Sequence, residues 1–231
     1  MVEAMSRGFH WRRGRSDRDD REMEVYVLDH MPYGNPLDKY PMYRNRPVAQ
    51  VIGSRYFMLL EVEPYSNIEL LTGERVYLDM ESKVRRVIGR ITYNDLTSNA
   101  RANLEDVIRR IVLDNESLFV EMFNKAEPIN IRLHTLELLP GIGRKSVRAI
   151  LEEREKRKFT SFKDIQERLK IVDVAKSIVD RIVMEIAGNG EKYFLFVKPL
   201  REQMAAGAIY LDIIGKIRGV SGGIGHRPSS S

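Results

Sequence analysis

Cysteine is absent from the 231-residue chain, which removes disulfides, thiolate zinc sites and cysteine nucleophiles from consideration. No stretch reaches the run of about 18 apolar residues that a membrane-spanning helix needs. The N-terminal stretch is arginine-rich without a hydrophobic segment, so no membrane partner and no secretory signal are expected, and a cytoplasmic location follows. The four histidines, His10, His30, His134 and His226, are scattered. Neither a paired carboxylate cluster nor a metal-ligand spacing accompanies them, so no metal, cofactor or catalytic residue is expected. Charge of one sign is also scarce: 38 Lys and Arg against 33 Asp and Glu leave a net +5 and a pI near 9.3. That excess favours polyanionic partners only mildly.

What is present is a core's worth of apolar residues, 43%, and one stretch that reads as a hairpin between two helices. Leu133, Leu136 and Leu139 recur every third residue, and Val147, Ile150 and Leu151 form a second stripe, so both flanks have helical period. Between them, Pro140 ends the first helix, while Gly141 and Gly143 can take positive φ without steric cost. The second helix then starts with unsatisfied N–H groups near Gly143, Arg144 and Lys145, at the positive end of its dipole. An anion is their natural partner. A dinucleotide fingerprint is set aside because helix, not strand, precedes the glycines and Ser146 occupies the third glycine position. A Walker loop needs Gly directly before Lys-Ser, and Arg144 intervenes.

Pro140-Gly141-Ile142-Gly143-Arg144-Lys145-Ser146 resembles the helix-hairpin-helix motif. In that family the hairpin amides bind backbone phosphates of nucleic acid without reading bases. The resemblance implies that Gly141, Ile142, Gly143, Arg144, Lys145 and Ser146 would do so here, with Arg148 adding charge. A helix connection that serves packing alone is the competing reading.

Along the chain, residues 1–22 read as a basic flexible arm in which Arg7, Arg12, Arg13, Arg15, Arg18 and Arg21 interleave with Phe9, His10 and Trp11. Such an arm suits RNA, or is simply solvated. Residues 23–94 carry short β-branched and aromatic runs, at Glu24 to Leu28, Val48 to Gly53, Tyr56 to Val62, Arg75 to Leu78 and Val84 to Tyr93. These predict a small OB-like β-barrel, with an SH3-like barrel compatible with the same pattern. Its contact candidates are Arg55 and Tyr56 at a hairpin, with Arg85 and Arg86, although for any single tyrosine an ordinary barrel core is the favoured reading. Residues 95–126 form a helical bridge: Leu104, Val107, Ile108 and Ile111 mark a helix starting near Thr97 or Ser98.

Residues 127–190 hold the hairpin and a worn copy of it. Laying Lys145-Ser146-Val147 over Lys176-Ser177-Ile178 puts Ile171-Val172-Asp173-Val174 where the proline and glycines stood. Ser161 and Asp164 form a capping-box arrangement between the copies. This spacing, with the Phe-x-Ser-Phe-x-Asp link, is similar to the tandem helix-hairpin-helix domain of DNA-binding competence proteins. The resemblance leaves Lys176 as a basic candidate, while Asp173 would repel phosphate. Residues 191–231 read as a partly disordered C-terminal extension, with a strand at Tyr193 to Val197.

The expected fold class is thus α+β: a small OB-like barrel followed by an all-α tandem helix-hairpin-helix domain. The whole resembles an archaeal family of uncharacterised, predicted nucleic-acid-binding proteins. A non-enzymatic, largely sequence-nonspecific nucleic-acid-binding protein is expected, RNA favoured over DNA. The alternatives are a protein-interaction adaptor in a ribosomal or RNA-processing complex, or a repair enzyme. DNA glycosylases also carry such a hairpin, with a catalytic Asp beyond its second helix. Asp164 is the nearest carboxylate here.

Overall fold

The β-branched runs of the N-terminal half become five strands in a computed structural model that describes residues 21–35, 46–79, 82–170, 173–188 and 190–221. They are β1 (Glu24–Met31), β2 (Val48–Gly53), β3 (Leu59–Pro64), β4 (Arg75–Tyr77) and β5 (Val84–Arg90). All pair antiparallel in the order β4-β1-β2-β3-β5. Among the described residues β4 and β5 do not pair, so the curled sheet is a half-barrel with an open seam. The arm at residues 1–20, the linker at 36–45 with Tyr40, Tyr43 and Arg44, and the tail at 222–231 lie outside the described residues.

Alternation of side chains along each strand divides the sheet's apolar residues between two clusters. Val25, Val27, Ala49, Val51, Leu60, Val62, Val76 and Val84 converge from all five strands into one. Tyr26, Leu28, Ile52 and Leu59 face the other way, into a larger cluster shared with the helices. β2 is consequently buried at every position. Two bulges interrupt β5: Arg85 falls between the pairs Pro64–Val84 and Glu63–Arg86, and Ile88 between Val62–Val87 and Glu61–Gly89.

Helix α1 (Ser98–Asp114) starts at the expected Thr97 cap, whose hydroxyl accepts from the Ala100 amide at 3.0 Å and donates to Asp29 at 2.6 Å. Fully buried Gln50 ties this start to the sheet, accepting from the Thr97 amide and donating to the Asp95 carbonyl, each at 2.9 Å. Helix α2 (Glu116–Lys125) buries Phe119, Met122 and Phe123. Next comes a two-stranded ribbon, β6 (Pro128–Asn130) with β7 (Leu133–His134), and then a 3-10 turn over Thr135–Leu138. Here the sequence reading needs correction: a 3-10 turn, not an α-helix, leads into Pro140. The leucine spacing of three is the period of a 3-10 helix, 3.0 residues per turn, and 3-10 turns stay short. Helices α3 (Arg144–Lys156), α4 (Phe162–Leu169) and α5 (Val174–Ala187) follow, with Ser161 capping α4 as expected.

The C-terminal segment is not an appendage over its described length. It runs through β8 (Tyr193–Phe194), α6 (Arg201–Ala205), β9 (Ile209–Tyr210, parallel to β8) and α7 (Ile213–Ser221). Phe194, Leu195, Phe196 and Val197 are all buried in the larger cluster, and the Phe196 ring meets Phe119 and Phe57 edge-on at 5.8 and 6.5 Å. The buried carboxylate of Glu185 accepts from the amides of Leu195, Phe196 and Val197 at 2.7, 3.0 and 2.9 Å, and from Arg181 at 2.8 Å. Glu22, assigned to the arm from sequence, does the same at the β2–β3 turn. Its buried carboxylate accepts from the amides of Arg55, Tyr56 and Met58 at 3.0, 2.8 and 3.2 Å. Burial pushes its pKa up to about 7, against the pull of those amides and of Arg55. The larger cluster runs without a break from Tyr26 to Ile217.

Candidate functional site

At the first hairpin, Gly141 takes φ +81°, a left-handed conformation that favours glycine. Ile142 then turns inward, 3% exposed, and its amide donates to the Leu139 carbonyl at 3.0 Å. Ile142 is therefore the hairpin's anchor, and neither its side chain nor its amide is offered to a phosphate. Gly143 differs from the expectation too: φ −95° and ψ 179° are open to any residue, and a Cβ there would meet nothing within 4 Å. Nothing internal requires glycine at 143. What glycine supplies is a bare cap, with no side chain closing the start of α3.

The Val147 amide donates to the Gly143 carbonyl at 2.9 Å, so the amides of Arg144, Lys145 and Ser146 precede the first intrahelical bond. Gly141, Gly143, Arg144, Lys145 and Arg148 are exposed and Ser146 is half-buried. Lys145 and Arg148 form no ion pair among the described residues, and Arg144, itself highly exposed, reaches Glu137 only at 3.5 Å. Glu137 is engaged elsewhere, accepting from the His134 amide at 2.9 Å. Dipole, bare amides and unneutralised cations thus coincide on one convex turn.

The second hairpin is its neighbour: a Cβ on Gly141 would lie 3.9 Å from the Ser177 hydroxyl in the first turn of α5. Its Ile171 and Val172 lie outside the described residues. Lys170 before them is left-handed, φ 54°, and Asp173 caps α5, accepting from the Lys176 amide at 2.9 Å. Arg109 of α1 holds the same carboxylate at 3.1 Å. Burial raises the Asp173 pKa, but the Lys176 amide and Arg109 outweigh it and keep the group below the ordinary carboxylate value. Lys176 is itself matched by Asp180 at 2.9 Å and Glu105 at 3.7 Å.

The barrel candidates part company. The Arg55 guanidinium donates to both oxygens of Asp212 at 2.9 and 3.2 Å and lies 4.3 Å from the ring of buried Tyr56. That pair fastens the C-terminal segment to the β2–β3 turn. Arg85 and Arg86 stay exposed on β5 while both reach buried Glu63, at 2.9 and 2.7 Å. Asp164 is held by the Thr160 amide, Arg157 and Arg168, which outweigh burial and keep its pKa low. His30 and His134 are separate, each accepting a backbone amide at Nδ1. Among the described residues no group of three or more His, Asp or Glu is placed to hold a metal, and no helix is long and apolar enough to cross a membrane.

Three residues escaped sequence reasoning: Glu22, Glu185 and, as a cap, Asp173. Only Asp173 had a local signal, an Asp directly before a helical stripe.

The crystal structure of Af1531 from Archaeoglobus fulgidus is similar to this fold with a TM-score of 0.70 and 45% identity, over 77% of this chain and 100% of that one. The uncharacterized protein MJ0038 of Methanocaldococcus jannaschii is 41% identical over 180 residues, 77% of this chain and 80% of that protein. Residues 21–198 match the model of the family described as "Protein of unknown function (DUF655)", and with these two likenesses the chain belongs to that family.

Proposed function

We propose that this is a non-enzymatic nucleic-acid-binding protein, largely indifferent to sequence, whose first hairpin holds backbone phosphate on the amides of Arg144, Lys145 and Ser146. Lys145 and Arg148 supply the charge, and Arg144 completes the rim. The observation that carries the reading is the bare cap of α3 beside unneutralised Lys145 and Arg148, in contrast to the filled cap of α5 next to it. An uncapped helix start flanked by cations is an anion seat, and phosphate held by backbone amides carries no base information. The turn is of the helix-hairpin-helix kind, with a 3-10 turn in place of the first helix. The strand order β4-β1-β2-β3-β5 supports reading the half-barrel as an OB-like barrel open between β4 and β5. RNA is favoured over DNA by the arginines and rings interleaved in residues 7–21.

Fluorescence anisotropy against matched single- and double-stranded RNA and DNA, at several salt concentrations, tests this. Binding is expected to weaken steeply with salt and to fall about ten- to a hundredfold in Lys145→Glu. No binding to any of the four, together with proteins that co-purify after nuclease treatment, would replace this reading with that of a protein-interaction adaptor.

A further inference from the structure

β5 is the long free edge of the half-barrel, and it exposes Arg85, Arg86, Val87 and Ile88 in succession. The bulges at Arg85 and Ile88 break the regular ladder. A doubly bulged edge is a poor template for an added strand, whether a peptide or a second copy. Bulges also re-aim side chains, and here they turn Arg85 outward, with its side chain 62% exposed.

The charges on this edge do not cancel. Glu63, with a side chain 5% exposed, takes Arg85 and Arg86 directly, and Arg46 adds its field. Two guanidiniums against one carboxylate leave an excess of positive charge, and the buried carboxylate fixes Arg85 and Arg86 in place. Tyr65 stands at the head of the strand, its amide donating to the Lys83 carbonyl at 3.2 Å, and the residue is 48% exposed. Val87 and Ile88 are 44% and 43% exposed. From Lys83 to Ile88 the edge runs roughly 16 Å at about 3.3 Å per residue.

A ring, oriented guanidiniums and apolar side chains in a row are the components of a single-strand site, in which bases stack and phosphates pair with arginine. A duplex hides its base faces, so it cannot use the ring. The face of β2 and β3 that bears Ile52 and Leu59 is already filled by the larger core cluster, so contact with a strand falls to the sheet's edges, of which β5 is the longer. We infer that the bulged edge of β5 with Tyr65 is a second contact site, selective for single-stranded nucleic acid: a base stacks on Tyr65 and phosphate lies on Arg85 and Arg86. This rests on the nucleic-acid reading above and adds to it the strandedness of the ligand.

The test compares wild type, Lys145→Glu and the double variant Tyr65→Ala/Arg85→Gln, each checked for folding by circular dichroism. Arg85→Gln leaves Arg86 on Glu63, so the buried carboxylate stays paired. The probes are a single-stranded oligonucleotide and a duplex of equal length. The double variant should lose about five- to a hundredfold in single-strand affinity and about 0.7 or more in salt slope, with duplex binding unchanged. Equal single-strand affinity in the folded double variant would overturn the inference and leave the hairpin reading standing. Weakening by the double variant with no effect of Lys145→Glu would support the edge site and remove the hairpin. Failure of wild type to bind either probe would overturn both. A bromouridine oligonucleotide photo-crosslinked to wild type should mark Tyr65; crosslinks confined to residues 141–148 would count against the edge.

Discussion

The starts of α3 and α5 lie side by side and differ at the cap. At Gly143 the cap is bare, and at Asp173 it is filled by a carboxylate that α1 locks with Arg109. Both helices present the same positive end and the same unsatisfied amides. In one the protein satisfies them from within, at a gain typical of a cap, about 0.5–2 kcal/mol. In the other they are left to solvent or to a ligand. The residue read from sequence as repelling phosphate therefore does something more definite: it caps the amides of its own helix.

The largest expected effect comes from removing what holds the bare hairpin in shape. Ile142→Ala should cost about 2–5 kcal/mol in urea unfolding, because Ile142 is the turn's buried anchor. Asp173→Ala should cost about 0.5–2 kcal/mol, release Arg109, and make the second start resemble the first; weak phosphate binding gained there would sharpen the contrast. The cap should also show in acid. With its pKa below the ordinary 3.8, Asp173 contributes fully above that value and loses its contribution as pH falls through the lower folded one. Urea midpoints from about pH 5 down to pH 2 should therefore fall further in wild type than in Asp173→Asn. Smallest in stability is Gly143→Asp, which has room for its Cβ and should gain only a few tenths of a kcal/mol while abolishing binding at the first hairpin. Retained affinity in Gly143→Asp would end the comparison's functional meaning.

Sequence pattern carried a good part of this fold. All five strands, the Thr97 start of α1 and the Ser161 cap of α4 were legible because each is decided within a few residues, by alternation or by a capping side chain. The proline-glycine turn was legible for the same reason. The turn before it misled, since a spacing of three suits both α- and 3-10 geometry over one or two turns. Glu22 and Glu185 were illegible because their partners, backbone amides at residues 55–58 and 195–197, leave no trace in composition. Arg55 looked like a surface contact because its partner, Asp212, is 157 positions away.

The clasp of Glu185 on residues 195–197 also sets an order of events during synthesis. The half-barrel strands emerge first and α1 then packs on the face bearing Tyr26, yet the cover is completed at Phe57 only when Phe194–Val197 arrive. At about 5–20 residues per second that interval is on the order of ten seconds. Throughout it the nascent sheet has a free edge, and the bulges and paired arginines of β5 are what keep that edge from recruiting a neighbouring chain. Residues made late thus close in strands made early, so the complete native packing should appear in one late step.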